Sequence, residues 1–406
     1  MTAWLSIIGI NEDGLAGLPA SVRGLIERAE VLVGGARHLK MVPNGHATER
    51  LAWESPLART IDAIAARRGK RVAVLATGDP MSFGIGVALS RRFPTAEMMI
   101  VPAPSAFSLA CARLAWPLQE VELVSLHSRP LETLHLHLAP GARVLALSAD
   151  GHTPSRIAGA LMTNGYGRSR MTVFEHMGGI DERRVEASAD EWGERVTADF
   201  NTVAIECQAG PNARAYSRLA GLPDDAFLHD GQLTKREVRA ATLAALGPLA
   251  GETLWDVGAG CGSIAIEWLR GARLTEAFAI ERDAARAQII AENALRLGVP
   301  RLSIVNGTAP GALTSLARPN AVFIGGGLTE PGLAEACWSS LLPGGRLVAN
   351  AVSLEGESVL SRLRESITGN LTRLAVSRAE PVGSFNAWRP LMPVTQLFAQ
   401  KPVAPS

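Results

Sequence analysis

Short apolar runs alternate with longer amphipathic stretches along the whole chain. Trp4–Ile10, Arg71–Ala76, Arg143–Ser148, Thr202–Cys207, Thr253–Val257, Glu276–Ile280, Leu302–Val305, Ala321–Ile324 and Arg346–Ala351 are strand-length, and Gly, Pro or Asp bounds them. Near-continuous apolar composition marks strands covered on both faces, as in parallel sheets. Ala284–Leu297 carries the period of a helix with one buried face. Strands alternating with helices predict an α/β architecture. A link is expected across 209–225, where Ala209-Gly210-Pro211-Asn212 and Gly221-Leu222-Pro223-Asp224-Asp225 interrupt the pattern. A fresh α/β series begins after Phe227. A softer break near Pro102–Pro104 divides the first half into two lobes.

The length of 406 residues suits two or three domains. Hydrophobic residues are 47% and charged residues 19%, enough apolar content for large cores and too much for global disorder. Forty basic residues against 39 acidic leave a net charge of +1, which excludes a broad field for a long nucleic acid. An anionic substrate must therefore be gripped locally. Nearly all the basic residues are Arg, suited to bidentate carboxylate binding, although codon usage explains such a bias equally well. Cys111, Cys207, Cys261 and Cys337 form no CxxC pair, so free thiols in a reducing compartment are expected. Met1–Ile10 lacks the basic start and cleavage site of a signal peptide, and no run of about 20 apolar residues exists to span a membrane. A cytoplasmic protein without membrane or nucleic-acid partners is the expectation.

In the second half, strand Thr253–Val257 runs into Gly258-Ala259-Gly260-Cys261-Gly262, and Ser263 opens a helix. Glycines in such a turn let a ligand press against bare backbone, and the helix start offers free N–H groups. A dinucleotide loop wants its third glycine one position later, where Ser263 stands. Glu281 ends the next strand, where a carboxylate can accept from both hydroxyls of a ribose. Asn306-Gly307-Thr308-Ala309-Pro310 ends the third strand, Gly325-Gly326-Gly327 the fourth, and Leu341-Leu342-Pro343-Gly344-Gly345-Arg346-Leu347 precedes the fifth. Together these segments resemble an S-adenosylmethionine-dependent methyltransferase of the Rossmann-like class I fold. Adding Asp230-Gly231-Gln232-Leu233-Thr234-Lys235-Arg236-Glu237-Val238-Arg239, residues 226–400 resemble the decarboxylating C-15 methyltransferase module of cobalamin biosynthesis. That resemblance implies cofactor contacts at Thr234, Gly258, Ala259, Gly260, Cys261, Gly262, Glu281 and Ala309. Thr308 stands where the family usually has an acid, which leaves adenine to be held by backbone groups.

In the first half, Val72–Ala76 leads into Thr77-Gly78-Asp79-Pro80-Met81-Ser82-Phe83-Gly84. Gly-Asp-Pro alone is common turn chemistry. With Ile7-Ile8-Gly9-Ile10-Asn11-Glu12-Asp13-Gly14, Pro102-Ala103-Pro104-Ser105-Ala106-Phe107, Ser125-Leu126-His127-Ser128-Arg129 and Phe174-Glu175-His176-Met177-Gly178-Gly179, residues 3–208 resemble the tetrapyrrole methylases, in the branch acting at C-5 of the corrin precursor. The resemblance implies a two-lobed α/β fold with S-adenosylmethionine between the lobes, touching Gly78, Asp79, Ser105, Ala106, Ala149 and Met177. The first loop lacks the family's usual Gly-Pro-Gly-Asp, so no role is assigned to Asp13.

The resemblance thus implies a tetrapyrrole methylase domain over 1–208, a class I methyltransferase domain over 226–406, and two S-adenosylmethionine sites. It implies a precorrin substrate, methylated at C-5 and C-15 and decarboxylated at the ring-C acetate, giving precorrin-8X. Arg129, Arg156, Arg168, Lys235, Arg236 and Arg239 are candidate clamps for its carboxylates. No catalytic residue is assigned, and a homo-oligomer is expected. His135 and His137 with His127 suggest metal spacing, but no acid or Cys completes a set, so no metal is expected; His127 and His176 are better placed for a role, although a structural one is the simpler reading of each. Two other classes stay open: a NAD-dependent dehydrogenase fused to a binding domain, and an RNA methyltransferase.

Overall fold

The computed structural model describes residues 3–45 and 49–403. The chain divides into two compact units: residues 1–131 with 137–214, and residues 132–136 with 215–406. The division after Arg214 falls inside the 209–225 link.

The first unit holds two five-stranded sheets. One comprises β1 (Leu5–Ile10), β2 (Val31–Gly34), β3 (Glu49–Ala52), β4 (Val72–Thr77) and β5 (Met98–Val101), ordered β3-β2-β4-β1-β5. All its pairings are parallel. Leu5, Ile7, Val31, Val33, Val72 and Val74 are buried on one face, and Ile8, Ile10, Leu32, Ala73 and Leu75 on the other. Burial on both faces is why these strands read as unbroken apolar runs.

The other sheet comprises β6 (Glu122–Ser125), β7 (Arg143–Leu147), β8 (Arg170–Glu175), β9 (Arg183–Ser188) and β10 (Asn201–Glu206), ordered β6-β7-β10-β8-β9. β10 runs antiparallel to both β7 and β8, so those two strands share a direction. Their C-terminal ends lie at one edge of the sheet, beside the start of β10.

In the second unit β11 (Thr253–Val257), β12 (Glu276–Glu281), β13 (Ser303–Asn306), β14 (Ala321–Ile324) and β15 (Arg346–Ala351) are parallel. β16 (Asn370–Leu374) and β19 (Val394–Gln400) extend the sheet antiparallel, giving the order β13-β12-β11-β14-β15-β19-β16. β17 (Ser377–Val382) and β18 (Phe385–Pro390) form a separate hairpin. Strand order reverses between β11 and β14, which opens a crevice at their C-terminal ends. Among the described residues no helix is long and apolar enough to cross a membrane.

Candidate active sites in the two units

The loop after β11 is shaped by close backbone approach. Gly258 has φ +70°, and a Cβ there would meet backbone atoms of Gly326 at 2.7–2.8 Å. A Cβ at Gly262 would meet Ile290 at 2.8 Å. The N–H groups of Gly258 and Ala259 donate to the Ile280 carbonyl (3.0 and 3.1 Å). Gly260 N–H donates to Glu281 Oε2 at 2.8 Å, and Asp283 N–H to Oε1 at 3.0 Å. The Glu281 carboxylate therefore braces the loop. A carboxylate has about four acceptor positions, so capacity for ribose hydroxyls remains.

Asp256, at the end of β11, is fully buried. Its Oδ2 accepts from Ala265 N–H at 3.0 Å and fixes the start of the helix Ser263–Gly271, while Oδ1 has no hydrogen-bond partner among the described residues. Burial pushes its carboxyl up to about 7; the Ala265 hydrogen bond opposes the shift, and the nearby Glu281 charge adds to it.

A cavity of ≈ 570 Å³ opens beside this loop, lined by Thr234, Lys235, Asp256, Gly258, Ala259 and Gly260 among others. A smaller one, ≈ 160 Å³, is lined by Glu281, Thr308, Ala309 and Gly325–Gly327, and shares Gly258 and Gly260 with the first. The two together bring Thr234, Gly258, Ala259, Gly260, Glu281 and Ala309 to one place. Cys261 and Gly262 line neither. The Cys261 side chain is buried in the core, where its thiol is pushed up to about 11 by burial. Gly262 makes the tight turn into the helix.

Of the basic residues assigned to substrate here, Lys235 lines the larger cavity. Arg236 does not: its Nε donates to the Gly221 carbonyl at 2.9 Å. Arg239 is a correction. It is fully buried, donates from Nε to Glu267 (2.5 Å) and from a terminal nitrogen to Asp224 (3.2 Å), and lies 4.8 Å over the Phe227 ring. Its donors are engaged inside the protein, so it cannot clamp a substrate.

Sequence reasoning missed a buried polar set behind Asn350 of the larger cavity. Gln396 Nε2 donates to Thr242 Oγ1 and to Asn350 Oδ1, both at 2.9 Å, and Asn350 Nδ2 donates to Thr242 at 3.1 Å. Asn350 interrupts the apolar run of β15 and lines the cavity. One amide inside a buried strand was the available signal.

In the first unit, Gly9 on β1 abuts the turn after β4 so closely that a Cβ would lie 1.9 Å from the Gly78 carbonyl and 2.5 Å from Ala103 N. Gly78, at φ +56°, lies against Pro104 and Ser105. Asp79 Oδ1 accepts from Met81 N–H at 2.8 Å, and the Ser105 hydroxyl caps the helix Ala106–Leu114 by accepting from Ser108 N–H at 3.1 Å. Gly78, Asp79, Ser105 and Ala106 thus meet at one place.

Ala106 and Met177 line a narrow crevice, ≈ 20 Å³, together with Asn11, Glu12 and Thr77. Ala149 lies at the same edge of the second sheet, where the preceding Ser148 donates to Asn201 Oδ1 at 2.6 Å. Arg129 lies 5.2 Å over the Phe83 ring, beside the Gly-Asp-Pro turn. Arg156 pairs with Asp150 at 2.8 Å, one residue beyond Ala149. Arg168 precedes β8, at the opposite end of that strand from Met177.

Glu12, Arg37 and His176 were not assigned from sequence, yet they form a connected polar group. Arg37 pairs with Glu12, whose Oε2 lies 3.0 Å from His176 Nδ1.

Two family models match the chain: tetrapyrrole (corrin/porphyrin) methylases over residues 5–192, and the precorrin methyltransferase domain over residues 225–401. A Sinorhizobium protein named precorrin-6Y C(5,15)-methyltransferase [decarboxylating] is 48% identical over 98% of this chain and 96% of its own length. The chain belongs to the precorrin-6Y C(5,15)-methyltransferase family. Two shorter relatives come from Salmonella typhimurium. A cobalt-precorrin-7 C(5)-methyltransferase is 31% identical over 44% of this chain and 88% of its own length. A cobalt-precorrin-6B C(15)-methyltransferase (decarboxylating) is 33% identical over 44% of this chain and 96% of its own. Membership of this family excludes the dehydrogenase and RNA methyltransferase readings.

Proposed function

We propose that the two units divide two methyl transfers on one tetrapyrrole, each with its own S-adenosylmethionine. The reaction is that of the family: methylation of precorrin-6Y at C-5 and C-15 with S-adenosylmethionine as donor, and loss of CO₂ from the ring-C acetate. In this reading the first unit acts at C-5, and the second acts at C-15 and decarboxylates. The carrying observation is the pair of independent glycine-lined sites, one at Gly78-Asp79 and Ser105-Ala106, the other at Gly258–Gly260 and Glu281. Relatives carrying one activity each, and matching under half of the chain, support the division.

The sulfonium methyl is already activated, so catalysis rests on aligning an electron-rich meso carbon with the sulfur–methyl bond. In the second unit, Glu281 would take the ribose with the acceptor capacity that its bonds to Gly260 and Asp283 leave, and the bare backbone of the glycine turn would lie against the methionine end. The larger cavity, with Lys235 and Asn350 on its wall, is left for the tetrapyrrole edge. At ≈ 570 Å³ it lies in the ordinary range for small-molecule pockets. Loss of CO₂ needs an electron sink, which the conjugated macrocycle supplies; the protein binds and orients the carboxylate. Equilibrium dialysis of the full chain with labelled S-adenosylmethionine should give two bound per chain, and a stoichiometry of one would overturn the two-site reading.

A further inference from the structure

His176 follows β8 with φ +48°, in the left-handed region that non-glycine residues seldom occupy. Such a conformation persists where the surroundings hold it. Here the His176 N–H donates to the Phe200 carbonyl (3.1 Å), and its own carbonyl accepts from Gly179 N–H (3.0 Å). The imidazole meets the loop after β1, where Nδ1 lies 3.0 Å from Glu12 Oε2. Glu12 is itself held by Arg37. Arg37 stacks 4.1 Å from the Phe200 ring centre and donates to Thr77 Oγ1 at 3.1 Å. His38, whose imidazole is pushed down to about 4 by burial and the Arg37 charge, stays neutral behind it.

An anionic Glu12 accepts from Nδ1–H and fixes the tautomer that leaves Nε2 as a lone-pair acceptor. Among the described residues Nε2 has no protein partner, and the side chain is one-third exposed. The next residue is Met177, which lines one crevice with Ala106 and Glu12. Methylation of a meso carbon bearing hydrogen creates a need for a base at this place. The enamine-like C-5 attacks the methyl carbon; the C–C bond forms, the C–S bond breaks, and its electron pair stays on sulfur as S-adenosylhomocysteine. C-5 then carries both hydrogen and methyl. Conjugation returns when the C–H bond breaks, its electrons enter the macrocycle, and the proton leaves.

We infer that His176, oriented by Glu12 and Arg37, accepts the C-5 proton in the first unit. The inference rests on the assignment of C-5 methylation to that unit. Its test uses the full chain with precorrin-6Y, following methyl incorporation at C-5 and at C-15 separately, with cofactor stoichiometry as the check on folding. His176→Ala should slow C-5 methylation by roughly 10²–10⁴-fold. C-15 methylation, CO₂ release and cofactor stoichiometry should stay as in the parent. Added imidazole should restore part of the rate, and deuterium at C-5 should give a larger isotope effect than in the parent. His176→Asn serves if the Ala variant loses cofactor, and Glu12→Gln should give a smaller loss of the same kind. C-5 methylation within threefold of the parent, or a loss that imidazole does not rescue while cofactor still binds, would overturn the inference. A loss confined to C-15 would instead overturn the assignment of the units.

Discussion

At the scale of single residues, what the sequence reveals is what backbone geometry forces. Gly258 and Gly78 sit where a side chain would strike neighbouring backbone, so the close approach that the glycines predict is present at both turns. Glu281 stands out in the sequence as a carboxylate at the tip of the second strand, and the structure adds its bracing of the loop through Gly260 and Asp283 N–H. The pairing of Glu12 with His176 does not stand out, because 164 residues separate two partners whose meeting only the fold arranges. Two outcomes follow here. Glu281→Ala should weaken cofactor binding in the second unit by about 1.5–3 kcal/mol, the range for a lost hydrogen bond to a charged group, and leave the first unit's site unchanged. Competitive binding to the full chain, resolved into its two sites, measures it.

Asp256 gives a pH-dependent signal. Its carboxyl stands near 7 in the folded chain against an ordinary 3.8, so the folded state holds this proton more tightly than the unfolded one. That contribution to stability is complete below about pH 4 and is lost as the pH rises toward 7. A cationic cofactor arriving in the same cavity favours the ionised form. Binding at pH 6–7 should therefore release protons, and calorimetric enthalpies should differ between buffers of different ionisation heat. The difference should vanish in Asp256→Asn; equal enthalpies in the parent chain would refute the reading.

At the scale of elements, the parallel strands were legible because both faces are covered: β11, β14 and β15 match the apolar runs. β17 and β18 were not. β18 (Phe385–Pro390) is exposed along its whole length, so no buried face imposes an alternation. β9, largely exposed and rich in charge, was hidden for the same reason. The helix Arg236–Leu246 shows how an element's role can be misread. Its Arg239 looks like a substrate clamp in sequence, yet it ties the helix to the loop before it. Glu267 accepts from Arg239 and also from the N–H groups of Gly221 (2.6 Å) and Leu222 (3.1 Å). Removing the arginine leaves a buried carboxylate without its counter-charge. Arg239→Ala should cost about 3–5 kcal/mol in denaturant unfolding of the second unit. The KM for substrate should change little in chains that remain folded, whereas a clamp would show the opposite balance.

At the scale of the whole molecule, the link at 209–225 was legible from its Gly and Pro punctuation, but its allegiance was not. Leu222 is buried in the second unit's core, and the Tyr216 and Ser217 carbonyls accept from Arg270 at 3.1 and 3.2 Å. These contacts join positions some 50 residues apart, beyond any local pattern. Residues 132–136 also belong to the second unit, where His135 Nδ1 lies 3.2 Å from the Leu295 carbonyl. Assigning each activity is therefore better done in the intact chain than in fragments. The decisive measurement is the product formed from precorrin-6Y by the full chain with one loop disabled at a time, read as methyls gained and CO₂ lost. Gly258→Ala, whose new Cβ has no room against Gly326, should give a product with one added methyl, at C-5, and no CO₂ released. Gly78→Val should give one added methyl, at C-15, with CO₂ released. Loss of both methylations in either folded variant, or CO₂ release surviving in Gly258→Ala, would contradict a division of labour between two independent methyltransferase centres.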